Sequence, residues 1–277
     1  MSAIEQPNEM PNPQIVRANL HLFEPVSSEK LGTARGISVW LPPSYGILSN
    51  NRYPTLYFQD GSFVLDSDTR CGDLKAGADS WVEELVRQKL IPEVIIIAID
   101  AVESRDQEYS PAIRGDGYAD FIINVVKPRI DQIYRTDPGP ENTAIAGWSL
   151  GAFVALFIAW KRPDVFGKVA CLSPCFFDCP THDDADMVLR TYQQMIWAND
   201  FNPSLRLYFD YGTDEHLDGD ISQPGPGQTE ALLKTLERNG LRQGENYEFH
   251  MEQSAKHAVE DWRKRLYRPL CYLFPHT

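Results

Sequence analysis

The sequence predicts an α/β fold in which a mostly parallel central sheet carries helices on both faces. Two observations lead there. Apolar stretches rich in β-branched and aromatic residues alternate along the chain with stretches of helical periodicity, as a sheet buried on both faces requires. The chain of 277 residues also shows no internal repeat and no Gly/Ser- or Pro-rich linker that would cut it into halves. The expected organisation is a polar N-terminal arm over residues 1–14 and one domain over residues 15–277.

Taken in order, the pattern predicts strands over 15–23 and 36–41, the second closed by Pro42 and Pro43, forming an antiparallel edge. A strand over 53–58 enters the Asp60-Gly61 turn, a helix over 81–90 takes Ser80 as its cap, and 94–100 is an apolar run closed by a carboxylate. Those three make a βαβ unit. An amphipathic helix follows over 118–134 despite Pro128, then a short strand over 143–148, an apolar helix over 151–161 ended near Pro163, and a strand over 168–172. Beyond an acidic stretch, helical patterns at 185–198 and 229–239 flank a strand at 205–211, with Gly240 stopping the second helix. A strand over 247–251 and a closing helix over 258–273 complete the order.

Composition narrows the function. With 43% apolar and 23% charged residues and no long apolar run, disordered, collagen-like and membrane-spanning classes are excluded. The net charge of −13 repels phosphate backbones and anionic lipid, so neither nucleic acid nor a membrane surface is an expected partner. Pro7, Pro11 and Pro13 interrupt the first twenty residues, which carry no secretory pattern, and five unevenly spaced cysteines read as reduced thiols. A cytoplasmic location follows. No glycine-rich phosphate loop occurs, so no cofactor is expected.

The chemistry concentrates at Gly147-Trp148-Ser149-Leu150-Gly151, a G-x-S-x-G sequence set between a predicted strand and a predicted helix. A sharp strand-to-helix turn pushes the serine hydroxyl above the sheet, and the flanking glycines spare the tight backbone a Cβ clash. A serine is a weak nucleophile at its free pKa, so an acid and then a histidine should follow it in the chain. Of His182, His216, His250, His257 and His276, only His257 sits in a polar loop between the last strand and the last helix. The strand at 205–211 runs into Gly212-Thr213-Asp214-Glu215, offering two adjacent carboxylates that spacing does not rank.

At this point the residues resemble the esterase family of α/β-hydrolases that holds enterochelin (siderophore) esterases, feruloyl esterase domains, esterase D and the mycolyltransferases. Besides the elbow, the matching pieces are Leu56-Tyr57-Phe58-Gln59-Asp60-Gly61, Ile99-Asp100 followed by Arg105, Glu108 and Tyr109, and Leu172-Ser173-Pro174. Tyr211-Gly212-Thr213-Asp214-Glu215, and His257 followed by Trp262 and Arg263, complete them. The resemblance implies an α/β-hydrolase fold and a Ser149, His257 and Glu215 triad, with Asp214 the alternative acid. It further implies that Asp60-Gly61 stands where many relatives have His-Gly, so that the backbone N–H groups of Leu150 and Ser62 form the oxyanion hole. Trp148 and Ala152 depart from the small residue and second glycine usual in the family, and Trp148 is expected to wall an acyl or alcohol pocket.

Other groups carry less. Cys171, Cys175, Cys179 and His182 lack the two-residue gap of a zinc knuckle, so no metal is expected, and the acidic run at 178–186 reads as a solvated loop or lid. Phe176 and Phe177 follow a strand end and are candidate pocket residues. Arg105 and Glu108 read as a loop ion pair. The expected function is hydrolysis of a small-molecule carboxylic ester through an acyl-enzyme. The alternatives are acyl transfer by the same triad, or a binding protein that has kept the fold.

Overall fold

In the computed structural model, which describes residues 10–17, 19–70, 72–176, 202–215 and 226–276, the chain opens with β1 (Gln14–Arg17), β2 (Leu20–Ser28) and β3 (Thr33–Trp40). Next come β4 (Thr55–Gln59), α1 (Ala78–Arg87) and β5 (Ile95–Ile99). After α2 (Arg105–Tyr109), α3 (Gly115–Asp120) passes through a π-helical segment (Phe121–Val126) into α4 (Lys127–Ile133). Then follow β6 (Thr143–Trp148), α5 (Leu150–Lys161), β7 (Lys168–Leu172) and β8 (Arg206–Gly212). The chain ends with α6 (Pro226–Arg238), β9 (Tyr247–Glu252), α7 (Val259–Arg265) and α8 (Tyr267–Leu273). The helical pattern at 185–198 lies outside the described residues.

The strands form one sheet in the order β1-β2-β3-β5-β4-β6-β7-β8-β9. β1 to β3 are antiparallel, β3 meets β5 antiparallel, and every pairing from β5 across to β9 is parallel. This is an α/β-hydrolase sheet with an antiparallel edge. Apolar runs fit it because each inner parallel strand, β4 to β8, is covered on both faces. In β5, Ile95, Ile97 and Ile99 face one core with α4, α5 and α6, whereas Ile96 and Ala98 face a second core with α1, α7 and α8.

Three local departures from the sequence reading have physical causes. The first predicted strand is two, β1 and β2, with Asn19 in a turn between them. Helix α1 starts earlier than its pattern and is capped by Gly77 at φ 66° rather than by Ser80, whose hydroxyl donates to Asp66 instead, at 2.6 Å. The left-handed φ at Gly77 strains any residue with a side chain, which favours glycine there. The closing helix divides into α7 and α8 because Pro269 lacks the N–H that would reach the Arg265 carbonyl. Pro128, by contrast, is tolerated, since it stands at the second position of α4 where the wider π turn ends.

Parallel register brings the carboxyl ends of the strands level. Trp148, Leu172, Asp210 and His250 are aligned across β6 to β9, so the loops after them open on one edge of the sheet. No helix among the described residues is long and apolar enough to cross a membrane.

Candidate active site

Ser149 stands alone between β6 and α5 with φ 55° and ψ −129°, a backbone conformation that side chains rarely adopt. Strain of this kind costs about 1–3 kcal/mol. The surroundings exceed it: Phe153, Leu156 and Ile158 of α5 are fully buried, and each such side chain contributes about 1.5–3 kcal/mol. The turn is so tight that a Cβ at Gly147 would lie 2.4 Å from the carbonyl carbon of Gly151, which accounts for the first glycine of the motif. The Ser149 N–H continues the sheet by donating to Leu172 O at 3.1 Å, and its carbonyl accepts from Ala152 and Cys175 N–H.

On the β8 side, His257 Nδ1 lies 3.2 Å from Glu215 Oε2. The imidazole is 19% exposed and the carboxylate 2%. Asp214, the other candidate, is exposed and contacts the neighbouring Thr213 hydroxyl. Glu215 Oε1 accepts from three donors: Ser173 Oγ at 2.6 Å, Gly212 N–H at 2.6 Å and Arg265 Nη2 at 2.9 Å. The direction of the first is forced. Ser173 Oγ also receives Trp262 Nε1–H at 2.7 Å and an Arg265 Nη2–H, both donor-only groups, so its single proton points to Glu215.

Three donors on Oε1 favour the anion. Burial pushes the Glu215 carboxyl up, but hydrogen bonds from His257, Ser173 and the Gly212 N–H outweigh it and hold the group below its ordinary value. An ionised Oε2 can only accept, so the contact with His257 is an Nδ1–H donation, which leaves Nε2 with its lone pair.

On the β4 side, Asp60 adopts φ 57° and begins the short 3₁₀ turn Gly61–Phe63. Its carboxylate is forked by Arg105, with Nε at 2.6 Å from Oδ1 and Nη2 at 2.9 Å from Oδ2. Ser62 is held at both ends: its hydroxyl donates to Asp100 at 3.1 Å, and its carbonyl accepts from Lys75 Nζ. A Cβ at Gly61 would come 2.6 Å from Ile99 N, so the turn passes directly over β5. Leu150 opens α5, where the first N–H groups have no intrahelical partner.

Some expected contacts are corrected. Trp148 does not wall an open pocket: it is 3% exposed, stacks on Trp262 at 5.1 Å and 6°, and meets Phe58 at 4.8 Å. As the last residue of β6 it alternates onto the α7 and α8 side of the sheet, where Trp262 stands edge-on to His257 at 5.0 Å. Phe176 is likewise a core residue, fully buried and edge-to-face with Phe153. Arg105 and Glu108 lie on α2 and do not pair: Arg105 meets Asp60, and Glu108 meets the buried Arg35. Phe177, Cys179, His182 and the acidic run lie outside the described residues.

Sequence reading missed Ser173, Asp210 and Arg265 as parts of this site. Ser173 was visible as part of a matching piece without a role, whereas Arg265 has no local signal that sets it apart from its basic neighbours Arg263 and Lys264. It is in fact 2% exposed.

Comparisons with known proteins agree with this architecture. A Bacillus subtilis (strain 168) protein, YbbA, is 28% identical over 165 residues, 55% of this chain and 61% of that protein, so the chain covers less than two thirds of that relative. Among solved structures, a ferulic acid esterase superposes with a TM-score of 0.71 at 19% identity, covering 95% of this chain and 98% of the other. The enterobactin esterase of Shigella flexneri gives 0.68 at 18% identity, covering 97% and 62%. The family described as "Putative esterase" matches residues 28–273, and the chain belongs to that family.

Proposed function

We propose that the protein is a serine carboxylic-ester hydrolase. Ser149 Oγ attacks the ester carbonyl while His257 Nε2 takes its proton, and Glu215 holds the imidazole tautomer and stabilises the imidazolium that forms. The tetrahedral oxyanion is received by the backbone N–H groups of Leu150 and Ser62, with the N-terminus of α5 favouring negative charge. The alcohol leaves with the proton from His257, and water, activated by the same imidazole, hydrolyses the acyl-enzyme.

The observation that carries this reading is the one-way hydrogen-bond path into His257. Ser173 and Arg265 donate to Glu215 Oε1, and Oε2 accepts from Nδ1, so the basic nitrogen is the one left for a serine. Membership of an esterase family and the strained elbow at Ser149 support it further. We assign the enzyme to the cytoplasm, which the free thiols of Cys171 and Cys271 support.

The test is a panel of p-nitrophenyl and aryl esters with wild type and Ser149→Ala, together with labelling by a fluorophosphonate probe. Ser149→Ala is expected to keep a native melt, to lose the label and to lower turnover by at least about a thousandfold. Turnover retained in the folded alanine variant would sink the assignment. Product analysis with added alcohol separates hydrolysis from acyl transfer, with the free acid expected as the main product.

A further inference from the structure

Behind the proposed acid lies a buried charge cluster that the reaction scheme does not use. Asp210 (1% exposed) lies in the buried run of β8, and its carboxylate accepts Ser173 N–H at 3.2 Å and Tyr208 O–H at 3.1 Å. Arg265 comes from the last position of α7. Its Nε lies 3.1 Å from Asp210 Oδ1, an ion pair by distance though not aligned as a hydrogen bond, and its Nη2 lies 2.9 Å from Glu215 Oε1. One guanidinium therefore serves two buried carboxylates, and Ser173, at φ 44°, ties both to Trp262.

The charges explain why this matters. Asp210 and Glu215 bring two negative charges and Arg265 one positive, so the buried cluster lacks one positive charge, which imidazolium at His257 supplies. Two carboxylates this close do not ionise independently, and the one with better donors keeps its charge. Burial pushes Asp210 up to about 6 in spite of Arg265, with the Glu215 charge adding to the rise, whereas Glu215 is held low. The remaining charged group facing the cluster from α8 is Arg268, which is paired with Glu252 and reaches Tyr208.

We propose that Arg265 is a positioning residue: by straddling Asp210 and Glu215 and bonding Ser173, it keeps the pair's negative charge on Glu215 and aims Oε2 at His257. This rests on the reading of Glu215 as the acid of the triad. A lysine in its place would carry the charge but lacks the planar fork that reaches Asp210, Ser173 and Glu215 together. A methionine would leave two buried carboxylates to share a proton.

The experiment compares purified wild type, Arg265→Met, Arg265→Lys, Arg265→Ala and Glu215→Gln, each checked for a native melt. Ester kinetics are measured against pH, and the downfield proton resonance of an imidazole Nδ1–H bonded to a carboxylate is followed by NMR. Arg265→Met is expected to lose about thirtyfold in kcat with KM within about threefold, and the acid limb of its kcat profile should move up by about one pH unit. Arg265→Lys should recover part of the loss, and added guanidinium should raise kcat of Arg265→Ala. The Nδ1–H resonance should be present in wild type and lost or moved in Glu215→Gln and Arg265→Met.

A folded Arg265→Met with unchanged kcat and an unmoved acid limb overturns the proposal. So does an equal loss in the methionine and lysine variants that guanidinium does not touch, which is a packing effect. Should Arg265→Met not fold, Arg265→Lys decides on the same readouts. Should wild type show no Ser149-dependent ester hydrolysis, the functional reading fails, and the resonance alone decides: unchanged in Arg265→Lys it overturns the role of Arg265, displaced there and absent in Glu215→Gln it upholds it.

Discussion

Both sides of the Ser149 elbow rest on an arginine against a buried carboxylate, yet the two contacts are built for different work. On the β4 side Arg105 forks across both oxygens of Asp60, one N–H to each. The pair is a clamp on a left-handed turn, and what it orients is backbone, the Gly61-Ser62 peptide. On the β8 side Arg265 takes only Oε1 of Glu215, leaving Oε2 for an imidazole. Arg105 is 26% exposed and Arg265 is 2% exposed, so the second contact works in the lower dielectric, where charge placement has the larger effect. A clamp can be loosened and still hold approximately, but a carboxylate that must accept from imidazolium cannot lose its charge.

The variant expected to have the largest effect breaks the β8 side. Glu215→Gln should lower kcat by about a hundredfold or more, because a neutral amide neither selects the Nδ1–H tautomer nor stabilises imidazolium. Steady-state kinetics on the folded variant check this, and near-normal kcat would dissolve the contrast between the two sides. The matching change on the β4 side, Asp60→Asn, keeps the shape but weakens the fork with Arg105. A loss of about tenfold in kcat is expected, since the Ser62 N–H remains and only its aim is relaxed. A loss as large as that of Glu215→Gln would mean that Asp60 acts through its charge.

Smaller effects sharpen the electrostatics. Because Asp210 is raised from 3.8 to about 6 in the folded protein, the native state binds the extra proton between those values, so this group's contribution falls as pH rises from about 4 to about 6. Asp210→Asn lacks the group, and its melting temperature should gain on that of wild type across this window and run parallel to it above. Parallel curves throughout would contradict the raised value. The smallest effect belongs to Asp214→Asn, expected within about threefold of wild type in kcat because the side chain is exposed and, among the described residues, contacts a neighbouring hydroxyl. A crippled Asp214→Asn would move the acid by one residue and undo the β8 half of the comparison.

Much of the fold was legible because its signals are local. The run through β5, the strand β6 and the strand β7 are apolar on both faces, and the elbow motif lies between an apolar strand and an apolar helix. Where the reading slipped, a tertiary contact had replaced a local one. Ser80 reads as a cap by residue type, yet Asp66 takes its hydroxyl and Gly77 opens the helix. Trp148 reads as a pocket wall because it is large and adjacent to the serine, but strand alternation turns it towards Trp262.

The sequence by itself determined the alternation of apolar strands with helices through β4, α1, β5, β6, α5, β7 and β8, the turn that carries Ser149, and the placement of a carboxylate pair and then a histidine after it. These depend on residue spacing and on the alternation of side chains along a strand, which need no knowledge of what lies opposite. Which carboxylate meets His257, and which arginine is buried behind it, only the tertiary structure decided. Asp214 and Glu215 are neighbours in the chain and differ in what lies across from them. Gly212 N–H, Ser173 and Arg265 converge on Glu215 from the end of β8, the turn after β7 and α7, segments up to 50 residues from it in the chain. Burial supplies the rest, since the Arg265 guanidinium becomes a shared partner of two acids only when α7 packs against the sheet.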